Sequence, residues 1–359
     1  MCKYNKKNYS KANEIIFYFE NETFLGETKY FYQICMAIKL IPMKQYDIAA
    51  IGELNVDIIL NGIESEPEIG KEKFAREMTV TLGSSTAIFA ANAAALGSKV
   101  CFVGMIGRDS FGSLVRSSLE ARGVDTRYLV EGDTPTGATI CMSYGEDRAN
   151  LTYQGAMDVM TFGDIPSEVF EKARHIHLSS LFMQSGLLRD VHKILDAAAA
   201  NGVTVSLDTQ WDPMETWKLD YKTVLPKVTV FMPNEKELQC LTGKSSLEDA
   251  IAAVQPYLGG AMMLKCGSAG SLLVRKDGSR VELPAFLNTQ VVDAIGAGDS
   301  CNSGFVSAFV KGLPLEECQR TGNLTGAVNT TAAGGTGAFT SLQAVRDICQ
   351  TRFGQTLKL

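Results

Sequence analysis

Histidine is scarce in this chain. Its 359 residues include three, His175, His177 and His192, which excludes a histidine-rich metal centre. Positive charge is not in excess: Lys and Arg number 34 against 40 Asp and Glu, a net charge of −6, which argues against general nucleic-acid binding. No apolar run reaches the roughly 18 to 20 residues that cross a membrane. The nine cysteines show no paired CxxC spacing. An odd count without a convincing signal peptide reads as reduced thiols, so a cytoplasmic location is expected. No internal repeat and no long linker interrupt the chain.

What is present is ordinary for a globular protein: 45% hydrophobic and 21% charged residues, enough for one large α/β domain or two smaller ones. Residues 1–42 differ from the rest. They hold nine of the 30 aromatics but only one of the 33 glycines, and no alternation or heptad persists. Met43 directly precedes a strand-like run. The expectation is that translation starts at Met43, residues 1–42 being a gene-start artefact or a poorly ordered extension, with a targeting or partner-binding arm as the alternative.

From Asp47 onward, strand and helix patterns alternate. IAAIGELNVDIIL reads as a buried strand leading into a loop, SSTAIFAANAAALG as an alanine-rich helix and VCFVGMIG as the next strand. Residues 137–155 shift to two alternating strands joined by a short turn, a β-hairpin. With residues 59–80 they form a candidate β lid. Beyond Pro166 the alternation resumes, with His175 and His177 on a strand where a structural role is expected. Strands alternating with helices predict a mostly parallel sheet covered by helices on both faces, an αβα sandwich.

The stretch 289–312, TQVVDAIGAGDSCNSGFVSAFVKG, concentrates the chemistry. Val291 and Val292 suggest a strand that passes through a glycine turn into a helix. Gly296 and Gly298 permit the turn and leave backbone N–H groups at the positive end of that helix, a setting for an anion such as phosphate. Asp299, in the first helical turn, would repel that anion unless it handles a proton. Three familiar glycine motifs fail here by single residues. Cys301 breaks GxGxxG, Leu238 stands at the first glycine of a Walker A loop over 238–245, and Cys266 breaks GxSxG.

Other motifs accompany this stretch: GELNVD at 52–57, VGMIGRDSFG at 103–112 and MPNEKELQCLTG at 232–243. Together with Asp293-x-x-Gly296-Ala297-Gly298-Asp299, their order and spacing resemble the ribokinase-like (PfkB) carbohydrate kinases over essentially all of the chain from Tyr46. The resemblance implies the ribokinase-like α/β fold with a small β-sheet lid over residues 43–359. It also implies transfer of phosphate from ATP, with Mg²⁺, to a hydroxyl of a sugar-like small molecule. Ser84 replaces a second glycine common in the family, and Ile88 replaces an asparagine, so the sugar pocket departs from the family pattern.

Combined with local chemistry, the resemblance gives Asp299 the role of general base and the N–H groups of Gly296, Ala297 and Gly298 that of an anion hole. A plain helix start and a tight strand-to-helix turn are the bland alternatives. Asp57, Asn55, Gly83, Ser84, Ser85, Arg148 and Tyr153 are assigned to the substrate, although an exposed strand position accounts equally for Arg148 and Tyr153. Asn234 and Glu237 would hold Mg²⁺ through its waters; the same spacing also makes a capping box. Lys265, Gly267, Gly270, Thr325, Gly326, Asn329 and the glycines Gly334 and Gly335 are expected on the nucleotide side, with Asn234. Asp293 marks a monovalent-cation position for K⁺, and a homodimer through the lid is implied. A non-catalytic sugar- or nucleotide-sensing module, a nucleoside kinase and a hydrolase using Ser300 remain as alternatives.

Overall fold

The computed structural model describes residues 44–359 apart from 145 and 146, and gives no side-chain detail for 147 and 148. The proposed extension 1–42 therefore lies outside the described residues. Thirteen strands are described: β1 Tyr46–Ile51, β2 Asn55–Asn61, β3 Glu77–Leu82, β4 Val100–Gly107, β5 Asp125–Gly132, β6 Gly137–Tyr144, β7 Asp147–Tyr153, β8 Ala173–Ser179, β9 Thr204–Asp208, β10 Val230–Phe231, β11 Ala261–Lys265, β12 Ser271–Arg275 and β13 Arg280–Leu283. The helices are α1 Ser85–Ala95, α2 Ser110–Ala121, α3 Ala156–Val159, α4 Ser167–Lys172, α5 Ser185–Ala200, α6 Tyr221–Val224, α7 Glu235–Thr242, α8 Leu247–Val254, α9 Ala297–Val310, α10 Leu315–Asn329 and α11 Leu342–Phe353.

Nine strands form one sheet in the order β13-β12-β11-β10-β9-β8-β1-β4-β5, parallel except where β12 and β13 join by antiparallel pairing. Strand alternation explains why both faces need cover. In β1, Ala49 and Ile51 enter one apolar cluster with Ile176, Leu207 and Leu264, while Ile48 and Ala50 enter the opposite one with Phe89, Phe102 and Phe305. A strand apolar on both sides is stable only between two helical layers. His175 and His177 are buried in β8, bonded to Thr204 and Ser206, and burial pushes both rings down to about 3.

Four strands form the second sheet, in the order β3-β2-β6-β7. The single strand expected over 48–60 is two strands in different sheets. The break falls at Gly52, where a Cβ would lie 2.1 Å from the Thr86 hydroxyl of α1. Close approach of α1 forces glycine there and lets the chain leave the large sheet. A second expectation fails at Val291 and Val292, which form no strand and are 60% and 61% exposed. β-branched residues favour strands only where a neighbouring strand packs on them; here the segment runs along α10, and the Val292 N–H donates to the Thr330 carbonyl. Among the described residues, no helix is long and apolar enough to cross a membrane.

Candidate active site

The site forms where the parallel strands end. Glu53 follows β1, Ser180 follows β8, Asp208 closes β9, Asn234 follows β10 and Lys265 closes β11. All lie at carboxyl ends of one sheet, the edge where open α/β sheets bind ligands. Helix α9 points its first turn at this edge. Gly296 precedes it with φ of 75°, and a Cβ there would sit 2.6 Å from the Gly335 Cα, so no other residue fits. The helical ladder begins with Ser300 N–H donating to the Gly296 carbonyl at 2.8 Å; that of Ala297 donates to Ala294 at 3.2 Å. The remaining N–H groups of the first turn lack helical acceptors, as every helix start requires.

Five polar side chains meet around this turn. Asp299 is buried and accepts from Gln210 Nε2 at 2.9 Å. The same nitrogen lies 3.2 Å from Asp208 Oδ2, so Gln210 bridges two carboxylates. Asp208 is fully buried and also takes Lys265 Nζ and Asn302 Nδ2, each at 2.5 Å. Burial, and next the Asp208 charge, push Asp299 up to about 8 against the opposing pull of Lys265. Burial opposes the charge on Lys265, yet Asp208 and Glu237 hold its ammonium well above the ordinary lysine range.

Asn234 and Glu237 realise the capping box. Glu237 accepts from the Asn234 backbone at 2.8 Å and side chain at 2.7 Å, while Asn234 Oδ1 accepts from Glu237 N–H at 2.9 Å. Both still face the cavity, and burial followed by the Asp208 charge pushes Glu237 up to about 7. Three carboxylates, Asp208, Glu237 and Asp299, thus crowd one ammonium. No three acidic, histidine or cysteine side chains converge into a direct metal cage among the described residues.

Two cavities flank the turn. The first, about 630 Å³, holds Asn55, Asp57, Ser84, Ser85, Asn234, Glu237 and Asp299. The second, about 490 Å³, is walled by Phe286, Leu287 and Val291 and by Gly270, Gly326 and Cys301. They share Lys265, Gly267, Ala294, Ala297 and Gly298, so the start of α9 is their common boundary.

Several expected residues stand elsewhere. Gly83 lines neither cavity; a Cβ there would lie 2.3 Å from Asp57 Oδ1, so its bareness makes room for that carboxylate. Ser84 is the N-cap of α1, its hydroxyl accepting from Ala87 N–H and donating to the Glu53 carbonyl. Tyr153 is 55% exposed, because β7 alternation turns Asn150 and Thr152 to the cavity instead. The Arg148 side chain lies outside the described residues. Thr325 and Asn329 are fully buried between α9 and α10, bonded to the Ser300 carbonyl and hydroxyl, and line neither of these two cavities. Gly335 packs against Gly296 and Ile88. Both Asp293 oxygens accept backbone N–H groups, from Ile295 and Gly334, each at 2.9 Å.

This architecture has counterparts of known family. Residues 45–341 match the description "pfkB family carbohydrate kinase". The chain belongs to the PfkB family. An uncharacterized sugar kinase of Archaeoglobus fulgidus is 29% identical over 235 residues, 65% of this chain and 91% of that protein. A cytidine kinase of Thermococcus kodakarensis is 28% identical over 285 residues, 77% of this chain and 93% of that protein. The structure of Arabidopsis thaliana ribokinase complexed with ribose and ATP superposes with a TM-score of 0.71 at 25% identity, covering 84% of this chain and 98% of that one.

Within this PfkB chain, sequence reasoning missed Asp208, Gln210 and Glu53. Asp208 carried a signal, an acid ending the apolar run VTVSL. Glu53 carried a weaker one inside GELNVD. Gln210 carried none, since only the fold brings it to Asp299, 89 residues away.

Proposed function

We propose that the protein transfers the γ-phosphoryl group of ATP to a hydroxyl of a sugar or sugar-like small molecule. The observation that carries this reading is the shared boundary of the two cavities, at the start of α9 beside the Asp299 carboxylate. An acceptor in the first cavity and a nucleotide in the second would meet there. Asp299 takes the hydroxyl proton as the oxygen attacks the γ-phosphorus and the bond to the bridging oxygen breaks, releasing ADP. The glycine turn, through Gly296, Ala297 and Gly298, faces the charge on the transferring group, and the Lys265 ammonium at the boundary shares that task. A pKa near 8 keeps Asp299 poised to accept a proton close to neutral pH.

The excess of carboxylates over ammonium suits a divalent cation. Glu237 and Asn234 would hold Mg²⁺ through its waters, where it would neutralise phosphate charge. K⁺ beside Asp293 would be held mainly by backbone carbonyls, and comparing rates in K⁺ and in tetramethylammonium salts checks it. Leu151, Tyr153 and Met78 are 66%, 55% and 66% exposed on the lid, which supports pairing of two lids in a homodimer, checked by light scattering. A nucleoside acceptor is the second reading, favoured by the similarity to a cytidine kinase. The test is an ADP-release screen over free sugars and nucleosides with ATP and Mg²⁺. Turnover with one class is expected; silence across the panel with demonstrable ATP binding would favour a non-catalytic sensing module.

A further inference from the structure

A left-handed backbone is costly for a residue that carries a Cβ, and such strain collects where a site requires it. Among the described residues, five other than glycine have positive φ: Ser84, Ser180, Gln210, Glu215 and Trp217. The first three line the first cavity. Of these, Gln210 reaches Asp299.

Gln210, with φ of 58°, comes just after β9 ends at Asp208. The left-handed turn folds the residue back on the strand end. Its backbone N–H donates to Asp208 Oδ1 at 3.2 Å, and its Nε2 stands 3.2 Å from Asp208 Oδ2 and 2.9 Å from Asp299 Oδ1. The neighbours fix which way the amide points. Turned over, Oε1 would face two acceptor oxygens, whereas the NH₂ group offers a hydrogen to each.

The two carboxylates are held differently. Asp208 takes Lys265 Nζ and Asn302 Nδ2 as well as the backbone and side chain of Gln210, so both its oxygens are engaged. The Asp299 carboxylate is held at Oδ1 by the Gln210 amide. Asp208 at the end of β9, Lys265 at the end of β11 and Glu53 after β1 act on its charge through space.

We infer that Gln210 is a positioning residue of the phosphoryl transfer: its amide ties Oδ1 of Asp299 to Asp208 and leaves Oδ2 to take the proton of the acceptor. The inference rests on the kinase reading and adds to it a residue that acts through the base. An amide hydrogen favours the charged carboxylate, so its loss should also make Asp299 harder to ionise. The backbone bond to Asp208 does not depend on the side chain, so the loop after β9 keeps its anchor when that side chain is changed.

The test uses the full chain with ATP, Mg²⁺ and the best acceptor from the ADP-release screen. Gln210→Met keeps the bulk of the side chain and removes the donor. It should lower kcat roughly 10- to 100-fold, keep both KM values within about threefold and move the rising limb of kcat/KM to higher pH by about half a unit or more. Gln210→Asn accepts a left-handed backbone more readily but carries its amide one methylene short. It should melt no lower than wild type and still lose kcat roughly tenfold or more, which a merely structural residue would not do. In the Asp299→Asn background, Gln210→Met should change the residual rate less than about twofold, because the group it acts through is gone. A folded Gln210→Met or Gln210→Asn protein with kcat within threefold of wild type overturns the inference. So does a loss confined to KM with the pH limb unmoved, or one that adds in full to that of Asp299→Asn. The wild-type rate separates the two readings: a wild type that transfers phosphate to no acceptor sinks the kinase reading and this one with it, whereas an active wild type matched by the variants sinks this one alone.

Discussion

The two cavities that meet at α9 are built on different principles. The first combines acids, amides and hydroxyls, supplied by the ends of β1, β9 and β10 and by the lid, with apolar side chains such as Ile59, Ile88 and Met157. The second is walled by apolar side chains and glycines between α9, α10 and the loop after β13. A polar wall selects by hydrogen-bond geometry, and a partner that leaves a buried group unpaired is rejected strongly. An apolar wall selects mainly by shape and surface, with a gentler penalty for misfit. The same helix start serves both, so changes on one side should leave the other nearly untouched. That independence can be tested directly.

The largest separation is expected from Asp299→Asn. It should lower kcat by about 10³-fold or more while the nucleotide dissociation constant, measured by calorimetry, moves little, since a general base acts on the acceptor's proton alone. Gly296→Ala attacks the shared boundary instead. With φ of 75° and 2.6 Å to the Gly335 Cα, it should harm both sides, costing on the order of 2 kcal/mol in denaturant unfolding together with most of the activity. Asp57→Asn should raise the acceptor KM by roughly 10- to 100-fold and leave that for ATP within about twofold. Phe286→Ala is the mirror experiment, raising the ATP KM by roughly three- to tenfold with the acceptor KM unchanged.

The smallest effect concerns pH. As the proposed general base, Asp299 must be ionised to act, and its pKa is raised to about 8 by burial and then by Asp208, so kcat/KM should rise from pH 6 and level off above about 8. Asp208→Asn removes the like charge and should move this limb to lower pH. The stability consequence has the opposite sign. Folded Asp299 holds its proton over a range where the unfolded group has released it, so its contribution to stability falls as pH rises from about 4 to about 8. Asp299→Asn should therefore flatten that decline in thermal melts.

Much of the glycine turn and of its surroundings was legible in the chain because it rests on local rules. Gly296 and Gly298 announce a turn, Asp299 announces a carboxylate in a first helical turn, and Asn234 with Glu237 announces a cap. The lid hairpin followed from alternation in 137–155, and the same alternation decided that Asn150 and Thr152, not Tyr153, face the cavity. Helix α11 was overlooked although Ser341 caps it and Gly354 ends it. The Asp208–Lys265 pair joins residues 57 apart, and its charge balance depends on neighbours from β9, β10, β11 and α9. Thr325 and Asn329 were misplaced for a related reason: a polar helix residue can serve a ligand or a neighbouring helix, and only the packing of α9 on α10 tells which.

By itself the sequence determined the glycine turn and the acid beside it, because the turn, the helix start and Asp299 are contiguous and their geometry is set within a few residues. It also determined that both faces of the large sheet would be covered, since its strands are apolar on both sides. The tertiary structure alone decided that Asp299 stands bridged through Gln210 to a second buried carboxylate, Asp208, which pairs with the Lys265 ammonium. It likewise decided that Glu53 fills the N-terminus of α1 and that Trp211 lines the first cavity. Electrostatic energy depends on distance in space and on burial, and neither quantity can be read from positions along a chain.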